Sequence, residues 1–197
     1  MRVFKKIISG IKGLWFFFWG HMFLLFYDKK YLCGRWFDGR WKGFNSVGWE
    51  WVTKAGFARI FCGYNKNSRY PICSKATVIH PSNIHFHPDN IDNFQSPGVY
   101  FQAIGKIHIG HGTYIGPNVG LITANHDFLN LDEHLTPKPI IIGEKCWVGM
   151  NSVLLPGVEL GDNTIVGAGS VVTRSFVEGY CVIVGNPAKI IKSIEKI

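Results

Sequence analysis

The chain has 197 residues, of which 17% are charged and 47% hydrophobic, and its formal net charge is +8. Such a composition excludes an intrinsically disordered chain, which is poor in apolar residues and rich in charge. The basic excess suits an anionic partner, a lipid surface or a phosphorylated small molecule, while the lack of a long Lys/Arg run or a nucleic-acid-binding module argues against nucleic acid.

Residues 1–12 contain Arg2, Lys5, Lys6 and Lys12 and no acid, and the run Leu14-Trp-Phe-Phe-Phe-Trp-Gly-His-Met-Phe-Leu-Leu-Phe-Tyr27 follows. The run is shorter than the roughly 18–20 residues that span a bilayer, and His21 interrupts it. No small-x-small cleavage site follows it, so a secretory signal is not expected. Ile7, Ile8, Ile11, Leu14, Trp15, Phe18, Trp19, Met22, Leu25 and Phe26 keep helical spacing. The expectation is a helix lying in a membrane interface, or else packing on a neighbouring subunit. A second basic-aromatic cluster follows, Arg35-Trp-Phe-Asp-Gly-Arg-Trp-Lys-Gly-Phe44. Residues 1–45 are therefore read as a membrane-associating or packing segment, with 1–31 as the lipid-facing part, and 46–71 as a connecting region. Cys33, Cys62, Cys73, Cys146 and Cys181 are odd in number and form no CxxC, which fits reduced thiols in a cytosolic setting better than a disulfide framework.

From Ile142 a period of six takes over: Ile142, Val148, Leu154, Leu160, Val166 and Val172 are all aliphatic. Glycine follows at Gly143, Gly149, Gly161 and Gly167, and Cys146, Ser152, Val158, Thr164 and Ser170 fill the fifth place. Upstream, Ile109-Gly110, Ile115-Gly116 and Leu121 keep the same step, and Ile72, Val78 and Ile84 repeat it more weakly. A flat rung and a sharp corner every six residues build a triangular prism whose aliphatic residues point inward and stack from coil to coil. A helix is excluded by the glycine, the β-branched residues and the period.

The period breaks once, between Leu121 and Ile142, where Leu121-Ile-Thr-Ala-Asn-His-Asp-Phe128 opens a loop that leaves the prism. Loops on rigid scaffolds are where function concentrates. A neutral imidazole there could accept the proton of an attacking hydroxyl. His80, His85 and His87 raise the possibility of zinc, but no third ligand at suitable spacing is evident, so no metal is expected.

These hexads, together with Pro139-Ile-Ile-Ile-Gly-Glu-Lys-Cys-Trp-Val-Gly149 after the loop, resemble the hexapeptide-repeat acyltransferases, from about Ile72 to Ile191. The resemblance implies an all-β fold, a left-handed parallel β-helix over 72–184 with a catalytic loop at 126–140, and a homotrimer, while Gly185 to Pro187 is read as turning the chain out of the prism into a short closing C-terminal helix over 185–197. It implies His126 as general base and Trp147 as an aromatic wall beside the acetyl and acceptor groups; Asn125 or Asp127, flanking the base, is expected to orient the imidazole or contact the acceptor, and Tyr100 and Gln102, just before the first strong hexads, are expected to face the same cleft. Gly167-Ala-Gly-Ser-Val-Val-Thr-Arg174 and Val184-Gly-Asn-Pro-Ala-Lys-Ile-Ile-Lys192 resemble the family's cofactor-binding end. By that likeness Gly149, Met150, Ala168, Thr173, Arg174, Lys189 and Lys192 would hold acetyl-CoA. The expected function is O-acetylation of a saccharide, such as a lipid-linked envelope-polysaccharide precursor, on the inner face of the cell membrane. The rivals are a streptogramin- or chloramphenicol-type acetyltransferase, a serine acetyltransferase, whose usual acidic helical N-terminal domain is missing here, and a non-enzymatic scaffold.

Overall fold

The computed structural model describes residues 2–38 and 46–195, with side chains of the first helix from Ser9 onward. It divides into two units, residues 1–74 and 75–197. The side chains of Arg2, Lys5, Lys6, Ile7 and Ile8, and residues 39–44 of the second basic-aromatic cluster, lie outside the described part.

In the first unit, helix α1 (Arg2–Met22) packs against helix α2 (Val47–Cys62). Glycines make that packing close. A Cβ on Gly56 would collide with the Phe23 ring, and one on Gly20 would stand 2.7 Å from a Trp49 ring carbon. Phe57 of α2 receives Trp19 and Phe23 at ring-centroid separations of 5.2 and 5.0 Å. Thr53 Oγ1 donates to the Phe16 carbonyl at 2.9 Å. The stretch 46–71, read from sequence as a connection, is therefore mainly a helix. It ends at Gly63, whose φ of 72° a residue with a Cβ adopts reluctantly. On its side toward α2, α1 buries Gly13 and Gly20 and half-buries Phe16, Phe17 and Trp19 within this unit. Its opposite side keeps an apolar stripe in water, with Ile11, Leu14, Trp15, Phe18, Met22 and Leu25 all 47–86% exposed.

The second unit is a parallel β-helix with three faces. The first face stacks Thr77–Val78, Tyr100–Phe101, Gly120–Leu121, Val153–Leu154 and Val171–Val172. The second stacks Ile84–Phe86, Ile107–Ile109, Ile140–Ile142 and Glu159–Leu160. The third stacks Tyr114–Ile115, Trp147–Val148, Ile165–Val166 and Cys181–Gly185, and Ala188–Ser193 closes it as an antiparallel edge. Successive hexads rotate through the faces, so Ile109, Ile115, Leu121, Ile142, Val148, Leu154, Leu160, Val166 and Val172 all point inward, each 4% exposed or less. Each such side chain contributes about 1.5–3 kcal/mol by leaving water.

The corners divide their work between two positions. Where a glycine follows the inward residue, as after six of these nine, it is steric: a Cβ on Gly149 would lie 2.7 Å from the Ala168 nitrogen of the next coil. Left-handed backbone falls two residues later, at Gly112, Asn118, Lys145, Asn151, Gly157, Asn163 and Gly169, again six apart wherever the coils are regular. The small residue that follows bonds a corner carbonyl, as Thr164 Oγ1 does to Gly161 O (2.6 Å) and Ser170 Oγ to Gly167 O (2.7 Å).

Two expected boundaries shift. The rungs begin at Thr77, so Ile72, although buried, precedes the prism. The expected closing helix over 185–197 is instead the strand Ala188–Ser193, paired antiparallel with Cys181–Gly185. Gly185, at φ 104°, turns the chain back, and β-branched Ile190 and Ile191 suit the extended state.

Candidate active site

The loop leaves at the corner between the first and second faces and folds back on itself. Asp127 N–H donates to Glu133 O (2.9 Å) and Leu135 N–H to Asn125 O (2.8 Å), around an isolated His126–His134 bridge. His126 is exposed on this small antiparallel turn. Its Nδ1 lies 2.6 Å from the Leu131 carbonyl oxygen. A carbonyl can only accept, so Nδ1 carries the proton, and in the neutral ring the Nε2 lone pair is left as a base.

The support expected from Asn125 or Asp127 is thus provided by the backbone of Leu131. Asp127 instead shapes the tip of the loop, where its Oδ1 accepts from the N–H groups of Leu129 (2.7 Å) and Asn130 (3.2 Å). His134, not singled out from sequence, packs against the His126 ring at 4.3 Å between centroids, with the ring planes tilted by 33°. Only the fold-back reveals it, because eight residues separate the two in the chain.

Gln102, expected to meet an acceptor, is 8% exposed and fully engaged. Its Oε1 accepts from Thr123 N–H (2.9 Å) and Ala124 N–H (2.8 Å), and its Nε2 donates to Ala124 O (3.0 Å). It fastens the chain two residues before His126. Changing Gln102→Leu leaves two buried N–H groups unpaired and should cost about 2 kcal/mol or more. Denaturant unfolding and faster amide hydrogen exchange at Thr123 and Ala124 would register the loss.

A groove of about 230 Å³ runs along this corner, lined by Asn125, Leu135, Thr136, Lys138, Leu155, Pro156 and Thr173. The structure therefore joins Asn125 and Thr173 beside the loop, and adds Lys138, Leu155 and Pro156, which sequence reasoning missed. Other expected site residues fall elsewhere. Gly149, Met150 and Ala168 stand at the corner leading from the third face to the first, where Gly149 N–H donates to Val166 O at 2.8 Å. Arg174 belongs to a second cavity of about 300 Å³ that it shares with Phe176, Cys181 and Ile190, and its guanidinium lies 5.3 Å from the Phe176 ring centre. Lys189 and Lys192 are exposed on the edge strand. Tyr100, 40% exposed, points out from the first face. Trp147, 57% exposed, projects from the third face beside Tyr114, its register partner. That face is opposite the loop's corner, so one chain alone does not make Trp147 a wall of the groove beside the loop. Burial raises the thiol pKa of Cys146 and Cys181, which keeps both protonated and unsuited to nucleophilic work.

Comparison with known proteins is consistent with this architecture. The signature described as bacterial transferase hexapeptide (six repeats) matches residues 139–174. A galactoside O-acetyltransferase of Escherichia coli is 30% identical over 149 residues, covering 56% of this chain and 73% of that protein. The acetyltransferase WcaF of Escherichia coli, named for colanic acid biosynthesis, is 38% identical over 94 residues, 48% of this chain and 51% of that one. The chain spans about half the length of several curated relatives, WcaF among them. Among solved structures, a galactoside acetyltransferase in complex with coenzyme A superposes with a TM-score of 0.52 at 27% identity, over 61% of this chain and 60% of that one. The three-faced parallel coil, its period of six and the extent of the match to the galactoside enzyme place the chain in the hexapeptide-repeat transferase family.

Proposed function

We propose that this protein transfers acetyl from acetyl-CoA to a hydroxyl of a saccharide, with His126 as general base. The observation that carries this reading is the imidazole itself, exposed where the hexad pattern breaks. Its Nδ1–H is fixed on Leu131 O (2.6 Å), and its Nε2 is ready to accept a proton. The names of the relatives, galactoside O-acetyltransferase and colanic acid biosynthesis acetyltransferase, support a sugar acceptor. The coenzyme A complex of a structural neighbour supports the donor.

The groove beside the loop fits such a donor. Leu135, Leu155 and Pro156 offer apolar contact for a slender arm, and Asn125, Thr136 and Thr173 offer polar partners. Acetyl-CoA supplies an activated carbonyl when bound. His126 Nε2 removes the acceptor's hydroxyl proton as the oxygen attacks the thioester carbonyl, Leu131 O holds the resulting imidazolium in place through Nδ1–H, and the imidazolium returns that proton to the coenzyme A sulfur as the C–S bond breaks. Lys189 and Lys192 are the exposed cations suited to the phosphates.

In this reading the helix is left-handed and the working unit a homotrimer. A threefold arrangement would lay the third face of one copy, with Trp147 and Tyr114, along the loop corner of the next, and so complete the aromatic wall. The exposed stripe of α1 seats the protein on an anionic membrane surface, which suits a lipid-linked acceptor. No helix among the described residues is long and apolar enough to cross a membrane.

The test is a transfer screen with acetyl-CoA against free and lipid-linked saccharides, read by a mass increase of one acetyl group. Transfer to a saccharide is expected, with lipid-linked acceptors preferred. A screen that yields acetylation of antibiotics and of no saccharide would overturn the assignment. In parallel, full-length protein should float with anionic vesicles and a 1–31 deletion should not. Equal behaviour of the two would remove the membrane component.

A further inference from the structure

The corner between the second and third faces carries a second convergence of reactive side chains. His87 and Asp89 come from the first coil, at the start of the 3-10 helix Pro88–Gln95, and His111 comes from the next coil. Asp89 Oδ2 lies 3.2 Å from His111 Nε2 and 3.7 Å from His87 Nδ1. One ligand atom from each residue lies within 4.8 Å of the other two, and among the described residues this is the one group of three that meets that condition.

These separations suit a metal. Zinc bonds imidazole nitrogen and carboxylate oxygen at about 2.0–2.2 Å, which places tetrahedral ligands roughly 3.3–3.6 Å apart. The two measured edges bracket that span. Two imidazoles and one carboxylate are also the donor set that zinc favours over magnesium or calcium.

The corner is built to hold this geometry. Asn90, fully buried beside Asp89, donates from Nδ2 to Gly110 O (2.7 Å) and accepts at Oδ1 from Gly112 N–H (3.0 Å), bracketing His111 on both sides. Lys145 N–H donates to His111 O (2.9 Å) from the coil above. Asn93 repeats the tie, with Nδ2 on Thr113 O (2.9 Å) and Oδ1 on Ile115 N–H (2.8 Å). His87 Nδ1 accepts from Asp89 N–H at 3.2 Å, so it bears no proton, and its lone pair is shared only with that amide at the edge of the cluster. The two imidazole rings are 4.2 Å apart between centroids. All three side chains reach solvent, which gives the ion a way in.

We propose that His87, Asp89 and His111 form a Zn²⁺ site, with water in the fourth position, that clips the first coil of the β-helix to the second. The ion replaces the proton that His111 Nε2 shares with Asp89, and takes the His87 lone pair in place of the Asp89 N–H. The clip lies at a different corner from His126, so it does not depend on the acetyl-transfer reading. From sequence the third ligand was invisible, because His111 sits 24 positions after His87 and fits an ordinary prism face.

The experiment is calorimetric titration of the untagged full chain with ZnCl₂, alongside His111→Ala, Asp89→Asn and the control His108→Ala. The wild type should bind one Zn²⁺ per chain, and a hundredfold excess over Kd should raise Tm by about 5 °C or more. His111→Ala and Asp89→Asn should each weaken binding by at least about 10-fold, while His108→Ala should not. Co²⁺ titrated into the wild type should give the intense visible absorption of a four-coordinate site, a readout independent of whether the variants fold. Absence of Zn²⁺ binding, a weak six-coordinate Co²⁺ spectrum, or unchanged affinity in His111→Ala would each overturn the site.

Discussion

Changing His126→Ala should lower kcat for acetyl transfer by at least about 100-fold and leave acetyl-CoA binding close to wild type. The alcohol loses its proton acceptor, while the groove formed by Leu135, Thr136, Leu155, Pro156 and Thr173 is untouched. Steady-state kinetics combined with calorimetric binding of coenzyme A separates the two effects. His126→Gln is the companion variant. It keeps a polar side chain of similar reach on the loop but cannot act as a base, so it should be as slow as alanine. Normal turnover in either variant would end the assignment of His126. A parallel loss of coenzyme binding would instead mean that the histidine holds the loop in shape.

Val166→Asp should unfold the β-helix. Val166 is 1% exposed and its register partners are Val148 on one side and Ile183 on the other, so a carboxylate there meets only aliphatic neighbours above and below. The penalty, about 4 kcal/mol or more, is a large part of the stability of an ordinary domain. Because each coil is stabilised through its neighbours, the fault should spread rather than stay local. Loss of the β-sheet circular-dichroism signal and of a cooperative thermal transition is the expected result. Val177→Asp is the control: Val177 is 55% exposed, and the same charge there should cost no more than about 0.5 kcal/mol. A folded Val166→Asp protein with wild-type Tm would contradict the inward stacking.

The inward positions were legible because a strict period projects onto space without further information. Once Ile142, Val148 and Leu154 are seen six apart, their burial follows. The loop was legible for the converse reason, as the place where the count fails. What could not be read were contacts that depend on register between coils. Gln102 reaches Thr123 and Ala124 across 21 and 22 residues, and Asp89 meets His111 across 22, with no trace of either in local composition. Helix α2 was missed because its apolar residues surround Gly48 and Gly56, which serve as seats for rings from elsewhere in the unit instead of forming a stripe of their own. The closing helix was expected from reading Gly185 to Pro187 as a turn out of the prism, whereas Gly185 at positive φ followed by two β-branched isoleucines favours a tight reversal into a strand.

That reversal matters beyond local geometry. A stack of parallel rungs has no natural end: each leaves a row of amide and carbonyl groups on which another molecule's rung could grow, with fibre formation as the outcome. Running Ala188–Ser193 against the grain of Cys181–Gly185 changes the hydrogen-bond spacing offered at that end. Lys189 and Lys192, exposed on the same strand, add repulsion between any two such ends that approach one another. That six-residue strand thus works as a terminator for the third face, where parallel stacking stops at Cys181–Gly185.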